Sequence, residues 1–207
     1  MKILITGAEG FIGLALVNLL VAESNQEDEI ICMIRGNVSS VLPTSSKIKI
    51  VSHDLQNSTF PQLPSSIDII VHLAGISKTF LSSSDGREQL LVNTLATSNV
   101  LKIAEETDTK KLIFASSVYV YSGIKAESLK ERMPLHPSEP LGISKYASEM
   151  ILRAHTKSSN LTVLALRLFT VYGPGSKDTQ FVPEAIKKFK HSNKQALFGN
   201  PSVKRDF

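Results

Sequence analysis

The sequence has no tryptophan and a single cysteine, Cys32. One thiol excludes an internal disulfide framework, and its place in an apolar run reads as a small buried side chain. Cytoplasmic residence is the expectation that follows. No apolar run approaches the ~18–20 residues that cross a bilayer, so no membrane partner is expected. Aromatic residues make up only 6% of the chain and do not alternate with basic ones, which argues against a nucleic-acid surface. No metal site is expected either. The opening Lys2-Ile3-Leu4-Ile5 has the beginnings of a secretory leader, but Thr6-Gly7-Ala8-Glu9-Gly10 breaks the run. A strand, a loop and a helix explain it better.

What is present is an ordinary globular balance: 207 residues, 42% hydrophobic and 20% charged, enough for one good core. The formal net charge is +4, with the surplus gathered late, at Lys187, Lys188, Lys190, Lys194, Lys204 and Arg205. That surplus reads either as attraction for an acidic substrate or as a solvated helix face, and for the clustered lysines the solvated face is the better match.

Short apolar runs alternate with helical patterns. The spacing predicts strands over 2–6, 30–34, 47–52, 67–73, 111–116 and 161–168. Helices are predicted over 11–23, 87–106, 142–157 and 179–190. This alternation implies an α/β fold, a doubly wound parallel sheet with helices on both faces and ligands at the carboxyl ends of the strands. Residues 196–207 have strand character with nothing following to pair with. The last residue is the hydrophobic Phe207, so the end reads as an interruption rather than a natural stop.

The turn from the first strand into the first helix reads Thr6-Gly7-Ala8-Glu9-Gly10-Phe11-Ile12-Gly13. Gly7 permits a tight turn, Gly10 lets backbone approach a pyrophosphate, and Gly13 lets the helix pack on the strand. The amides near Phe11 and Ile12 then face an anion at the positive helix end. A dinucleotide, NAD or NADP, is the expected ligand. The carboxylate that usually follows the second strand to bind the adenine ribose is missing. The segment reads Cys32-Met33-Ile34-Arg35-Gly36. Arg35 could pair with a 2′-phosphate, which leans toward NADP, or could lie in solvent or stack on adenine.

These residues, with others in order along the chain, resemble the extended short-chain dehydrogenase/reductase family, the NAD-dependent epimerase/dehydratase group that acts on nucleotide sugars. His53-Asp54-Leu55, His72-Leu73-Ala74-Gly75, Asn93, Ser116-Ser117-Val118-Tyr119-Val120-Tyr121, Arg167 to Pro174 and Lys204-Arg205-Asp206-Phe207 are similar to its successive motifs. The resemblance implies a Rossmann domain over 1–172 and the start of a substrate-binding region over 173–207, an incomplete lobe. It implies that Asp54 and Leu55 meet adenine, that Leu73, Ala74 and Gly75 line the cofactor, and that Asn93 orders the site. Lys145 would bind the nicotinamide ribose and Ser117 the sugar oxygen. Thr170 and Arg205 would meet the substrate, Arg205 at its diphosphate. A nucleotide sugar is the implied partner, and a homodimer built on the helices 87–106 and 142–157 is the implied assembly, with Ile103, Met150 and Ile151 as contacts or core. Taken singly, Asp54 could simply cap a turn, His72 reads as a packed histidine, and Asn93 as a satisfied amide.

One departure matters most. The family's Tyr-Gly-x-Ser-Lys-x-x-x-Glu reads here Leu141-Gly142-Ile143-Ser144-Lys145-Tyr146-Ala147-Ser148-Glu149. The proton-accepting tyrosine is replaced by Leu141, which cannot accept a proton. Losing a general base typically costs ~10²–10⁴-fold in rate. The candidate substitute bases are Tyr119, Tyr121 and His136; Tyr146, five residues after Leu141, points about 140° away from it on the helix. A non-catalytic cofactor-binding module and a truncated remnant are the alternative readings.

Overall fold

The computed structural model describes residues 1–36, 41–77, 85–176 and 181–191. Six strands are formed, β1 (Lys2–Thr6), β2 (Glu29–Ile34), β3 (Ile48–Ser52), β4 (Ile69–His72), β5 (Lys111–Ser117) and β6 (Thr162–Leu168). Four helices accompany them, α1 (Phe11–Glu23), α2 (Asp85–Glu106), α3 (Pro140–His155) and α4 (Phe181–His191). A 3-10 turn, Val118–Tyr121, follows β5 directly. Every predicted strand and helix is present, with ends moved by no more than three residues. The strand character expected over 196–207 lies outside the described residues.

The sheet order is β3-β2-β1-β4-β5-β6, and the β1–β2, β2–β3, β1–β4 and β4–β5 pairs are parallel. This is the doubly wound arrangement, and the order reverses between β1 and β4. β1, β2 and β4 are apolar on both faces because helices cover both faces. On one face Leu4, Ile31, Met33, Ile70, Leu112 and Phe114 pack with Val100, Ile103 and Leu152 of α2 and α3. On the other, Ile3, Ile5, Ile30, Cys32 and Val71 pack with Val17 of α1. Ile103 is thus wholly buried core, Ile151 leans on that core, and Met150 is partly exposed.

Two compact units are distinguished, Met1–Arg167 and Leu168–Phe207. The first holds the sheet with α1 to α3, up to the penultimate residue of β6; the second holds α4. Among the described residues no helix is long and apolar enough to cross a membrane, and no cluster of His, Cys, Asp and Glu suited to a metal is formed.

Candidate functional site: a crevice at the carboxyl ends of β1, β4 and β5

Gly7 begins the site. Its φ is +70°, a left-handed conformation that L side chains rarely adopt. A Cβ there would stand 2.8 Å from the Ala74 amide nitrogen, where the backbone leaving β4 passes. The Gly10 amide donates to the Gly7 carbonyl at 2.9 Å, and the Leu14 amide to the Gly10 carbonyl at 2.8 Å. Gly10 is the N-cap of α1 and supplies no side-chain cap. The first-turn amides of Phe11, Ile12 and Gly13 therefore lack the usual hydroxyl or carboxylate acceptor, and the positive end of the helix is open to an anion. Gly13 is buried where a Cβ would collide with the Gly7 carbonyl, so α1 leaves the loop at close range.

Thr6 and His72 tie β1 to β4 beneath this loop. The Ala74 amide donates to Thr6 Oγ1 at 3.2 Å, and Thr6 Oγ1 lies 2.8 Å from His72 Nδ1. On the far side of the ring, His72 Nε2 lies 3.4 Å from Thr97 Oγ1, whose own proton goes to the Asn93 carbonyl at 2.8 Å. These partners fix the tautomer: Thr6 donates to Nδ1, and Nε2 carries the hydrogen toward Thr97. Burial pushes the imidazole down to about 3, so His72 is neutral. It is the packed histidine that its strand-end position suggested.

Asn93 spends its whole amide inside the protein. Its Oδ1 accepts from the Ile76 amide at 2.8 Å, while Nδ2 donates to the Ile76 carbonyl at 3.1 Å and to Ser144 Oγ at 2.9 Å. The segment after β4, α2 and the first turns of α3 are thereby held together. Gly75 faces this junction: a Cβ on it would be 2.9 Å from Asn93 Oδ1 and 3.4 Å from Lys145 Nζ. Leu73 and Ala74 are half-buried, and Gly75 is exposed.

Lys145 is 6% exposed. Its Nζ donates to the Ala115 carbonyl at 2.8 Å and stands 4.9 Å from the centroid of the Phe114 ring, a cation–π arrangement. Burial lowers the ammonium to about 8, so it is still mainly charged at neutral pH. Ser117, the residue after Ser116 on β5, accepts from the Tyr119 amide at 3.3 Å and caps the 3-10 turn. Gly142 is set against the Tyr119 carbonyl, which brings the start of α3 onto that turn. Leu141 is 5% exposed, an apolar side chain in the first turn of α3.

Of the alternative bases, Tyr121 is committed elsewhere. Its hydroxyl accepts from Arg167 Nη1 at 2.5 Å and its ring lies under the guanidinium. Arg167 forks onto Glu149, with Nε to Oε1 at 3.1 Å and Nη2 to Oε2 at 2.8 Å. Ser116 Oγ donates to the same Oε1 at 2.5 Å. The Glu149 pair raises the guanidinium above its ordinary value. Tyr119 and Tyr146 are half-buried, and His136 is exposed.

The adenine end is looser. Arg35 is exposed just past β2. Asp54 is half-buried, and its Oδ1 accepts from the Gln56 amide at 2.9 Å, a turn-closing role that leaves Oδ2 without a partner among the described residues. Leu55 is buried, and its carbonyl accepts from Asn99 Nδ2 of α2 at 2.6 Å. Thr170, in the second unit, is exposed. Arg205 lies outside the described residues.

Sequence reasoning missed three devices: the Thr97 end of the His72 chain, the Asn99 anchor and the Arg167–Glu149 fork. Asn99 had no signal: six residues beyond Asn93, it lies on another face of α2. A cavity of about 160 Å³, lined in part by Glu105, Thr109, His155 and Leu161, opens at the opposite end of the sheet. Ligands of open α/β sheets bind at the carboxyl ends, so the cradle at Gly7 rather than this cavity is the candidate site.

Comparison with known proteins agrees with this geometry. The chain is 28% identical over its whole length to an uncharacterized UDP-glucose epimerase, YtcB, of Bacillus subtilis (strain 168), spanning 68% of that protein. It is 27% identical to the dTDP-D-glucose 4,6-dehydratase of Mus musculus, again over its whole length and 60% of the relative. The structure of MoeE5 in complex with UDP-glucose and NAD superposes with a TM-score of 0.75 at 30% identity, covering 90% of this chain and 60% of that one. The chain thus spans between three-fifths and about two-thirds of the length of these relatives. The family model described as NAD dependent epimerase/dehydratase matches residues 3–207, and with nearly every residue so matched the chain belongs to that family.

Proposed function

We propose that this chain binds NAD or NADP across the Gly7 crevice, with a nucleotide sugar as its further ligand, and that Leu141 makes it a binder before it is a catalyst. The observation that carries the reading is the uncapped start of α1 above a left-handed Gly7 packed against the backbone that leaves β4. In it the amides of Phe11, Ile12 and Gly13 hold the pyrophosphate, and Gly10 lets it approach. Asp54 and Leu55 receive the adenine, and Arg35, exposed just past β2, pairs with a 2′-phosphate, which favours NADP. Leu73, Ala74 and Gly75 line the nicotinamide half, Lys145 binds its ribose hydroxyls, and Asn93 keeps that wall in place. Ser117 binds the sugar oxygen, and Thr170 and Arg205 belong to the substrate side. The similar structure of MoeE5 is a complex with UDP-glucose and NAD, which supports both ligand classes.

When bound, the nicotinamide supplies a hydride acceptor or donor. The protein's part is then to orient the sugar oxygen through Ser117 and to take its proton. Ser117 can donate or accept a hydrogen bond, but a hydroxyl of ordinary acidity is a poor base. Leu141 does neither. Epimerase and dehydratase chemistry begins with loss of this proton and a hydride to the oxidised nicotinamide. Reductase chemistry runs the other way, with hydride delivered to a carbonyl and a proton to its oxygen. Each needs a proton-transfer group that Leu141 does not supply, a loss that typically costs ~10²–10⁴-fold in rate.

The test is calorimetric titration with NAD and NADP, followed by turnover of UDP- and dTDP-sugars. Binding of a dinucleotide with slow or undetectable turnover is the expected result. Leu141→Tyr should raise turnover at least tenfold with little change in cofactor affinity. Arg35→Ala should weaken NADP more than NAD. Failure of both dinucleotides to bind the wild-type chain would refute the reading.

A further inference from the structure

Lys145 and Glu149 are four residues apart on α3, one turn apart on the same face. Both are buried. Both reach adjacent residues of β5: Lys145 donates to the Ala115 carbonyl, and Glu149 accepts from Ser116 Oγ. A buried ammonium and a buried carboxylate at this spacing would normally find each other, because the alternative is two uncompensated charges. Here they do not pair. The carboxylate is taken by the bidentate Arg167 fork from β6, and the ammonium is left on a carbonyl and an aromatic face beside Gly75.

We propose that Arg167 is a positioning residue for the site: by holding Glu149, it keeps the Lys145 ammonium turned toward the crevice instead of along its own helix. The inference rests on the dinucleotide reading for the use made of Lys145, but not for the geometry. Arg167 is suited to the task. It is charged at every relevant pH, and its planar fork matches a carboxylate in a way that a lysine would not. It also carries the Tyr121 hydroxyl and the Glu131 carbonyl on Nη1, so the turn after Ser117 and the loop 122–139 are fastened by the same group. The remaining groups facing Lys145 carry no net charge: His72 of β4 is neutral, and Asn93 of α2 and the Ala115 carbonyl of β5 are dipoles.

Removing the arginine would free Glu149 to pull Lys145 off the Ala115 carbonyl. In Arg167→Met the Lys145 ammonium should therefore titrate higher than its value of about 8, by about one unit or more. This is read in the unliganded protein from the Nζ resonance of [15N]lysine-labelled samples, assigned against Lys145→Met. Cofactor affinity should fall at least tenfold. Glu149→Gln alone leaves the Arg167 guanidinium unpaired, so the Lys145 midpoint should not rise above about 8. The double variant Arg167→Met/Glu149→Gln should bring both readouts back to within threefold in affinity and half a unit in midpoint.

An unchanged Lys145 midpoint in Arg167→Met would overturn the proposal. So would a double variant as impaired as the single one, which would mark the fork as mere scaffolding. Should Arg167→Met not fold, Arg167→Lys takes its place: a single ammonium cannot grip both carboxylate oxygens, so a Lys145 midpoint and a cofactor affinity both unchanged from the wild type would overturn the proposal. A wild-type chain that binds no dinucleotide would count against the proposed function alone, because the titration needs no ligand.

Discussion

At the scale of single residues, the site combines one group kept neutral with one kept charged. His72 sits in the middle of a satisfied hydrogen-bond chain, between Thr6 and Thr97, and titrates at about 3, against 6.5 for an ordinary imidazole. Between those values the unfolded chain binds a proton that the folded chain refuses. Its contribution to stability is thus fully present above pH 6.5 and is lost as the pH falls toward 3, with a slope approaching about 1.4 kcal/mol per pH unit for one proton. Urea unfolding at pH 7, 5.5 and 4.5 should show the wild type losing stability faster than His72→Gln, which has no proton to take up. Parallel slopes for the two proteins would contradict the buried, neutral assignment. Leu141 is the opposite kind of residue, chemically silent where chemistry is expected, and the tyrosine variant is the direct measure of what that silence costs.

At the scale of elements, the loop from β1 to α1 has no tolerance for a side chain at its first glycine. Gly7→Ala would put a methyl at 2.8 Å from the Ala74 nitrogen and force an L residue into left-handed space, at roughly 1–3 kcal/mol. Denaturant midpoints should fall accordingly, and dinucleotide binding should be lost even in the folded fraction. Most of this was legible beforehand. The strands are apolar runs bounded by polar loops, and periodicity reports such runs well. The glycines announce the turn because no other residue fits there. What was not legible depends on partners far apart in the chain. Arg167 looked like the opening letter of a motif, and nothing local says that it reaches back to Glu149, Tyr121 and Glu131. The 3-10 turn was missed because Val118-Tyr119-Val120-Tyr121 has strand composition. Its direction is set by Ser117, which captures the Tyr119 amide and turns the chain out of the sheet.

At the scale of the whole molecule, α2 and α3 pack against each other and each still shows apolar side chains to solvent. Leu91 is 54% and Leu95 43% exposed on successive turns of α2, and Ile143 is 41% and Met150 37% exposed on α3. An exposed apolar stripe on adjoining helices suits a second copy of the same surface related by a two-fold axis. We propose this face as the dimer contact. Sedimentation velocity at micromolar concentration should show a dimer that Leu91→Glu with Leu95→Glu converts to a monomer, while the far-UV circular dichroism stays that of the wild type. A wild-type monomer at those concentrations would remove the proposal.

The position of β1 in the sheet decides when the crevice is completed during synthesis. It lies between β2, which follows it within thirty residues, and β4, which begins only at Ile69. One wall of the crevice is therefore available early in synthesis, while the other, with Lys145 against the end of β5, is made from residues well past the middle of the chain. On the proposed reading a dinucleotide rewards only a chain in which both walls have met, and so would act as a late lock on the sheet rather than as a template for its assembly.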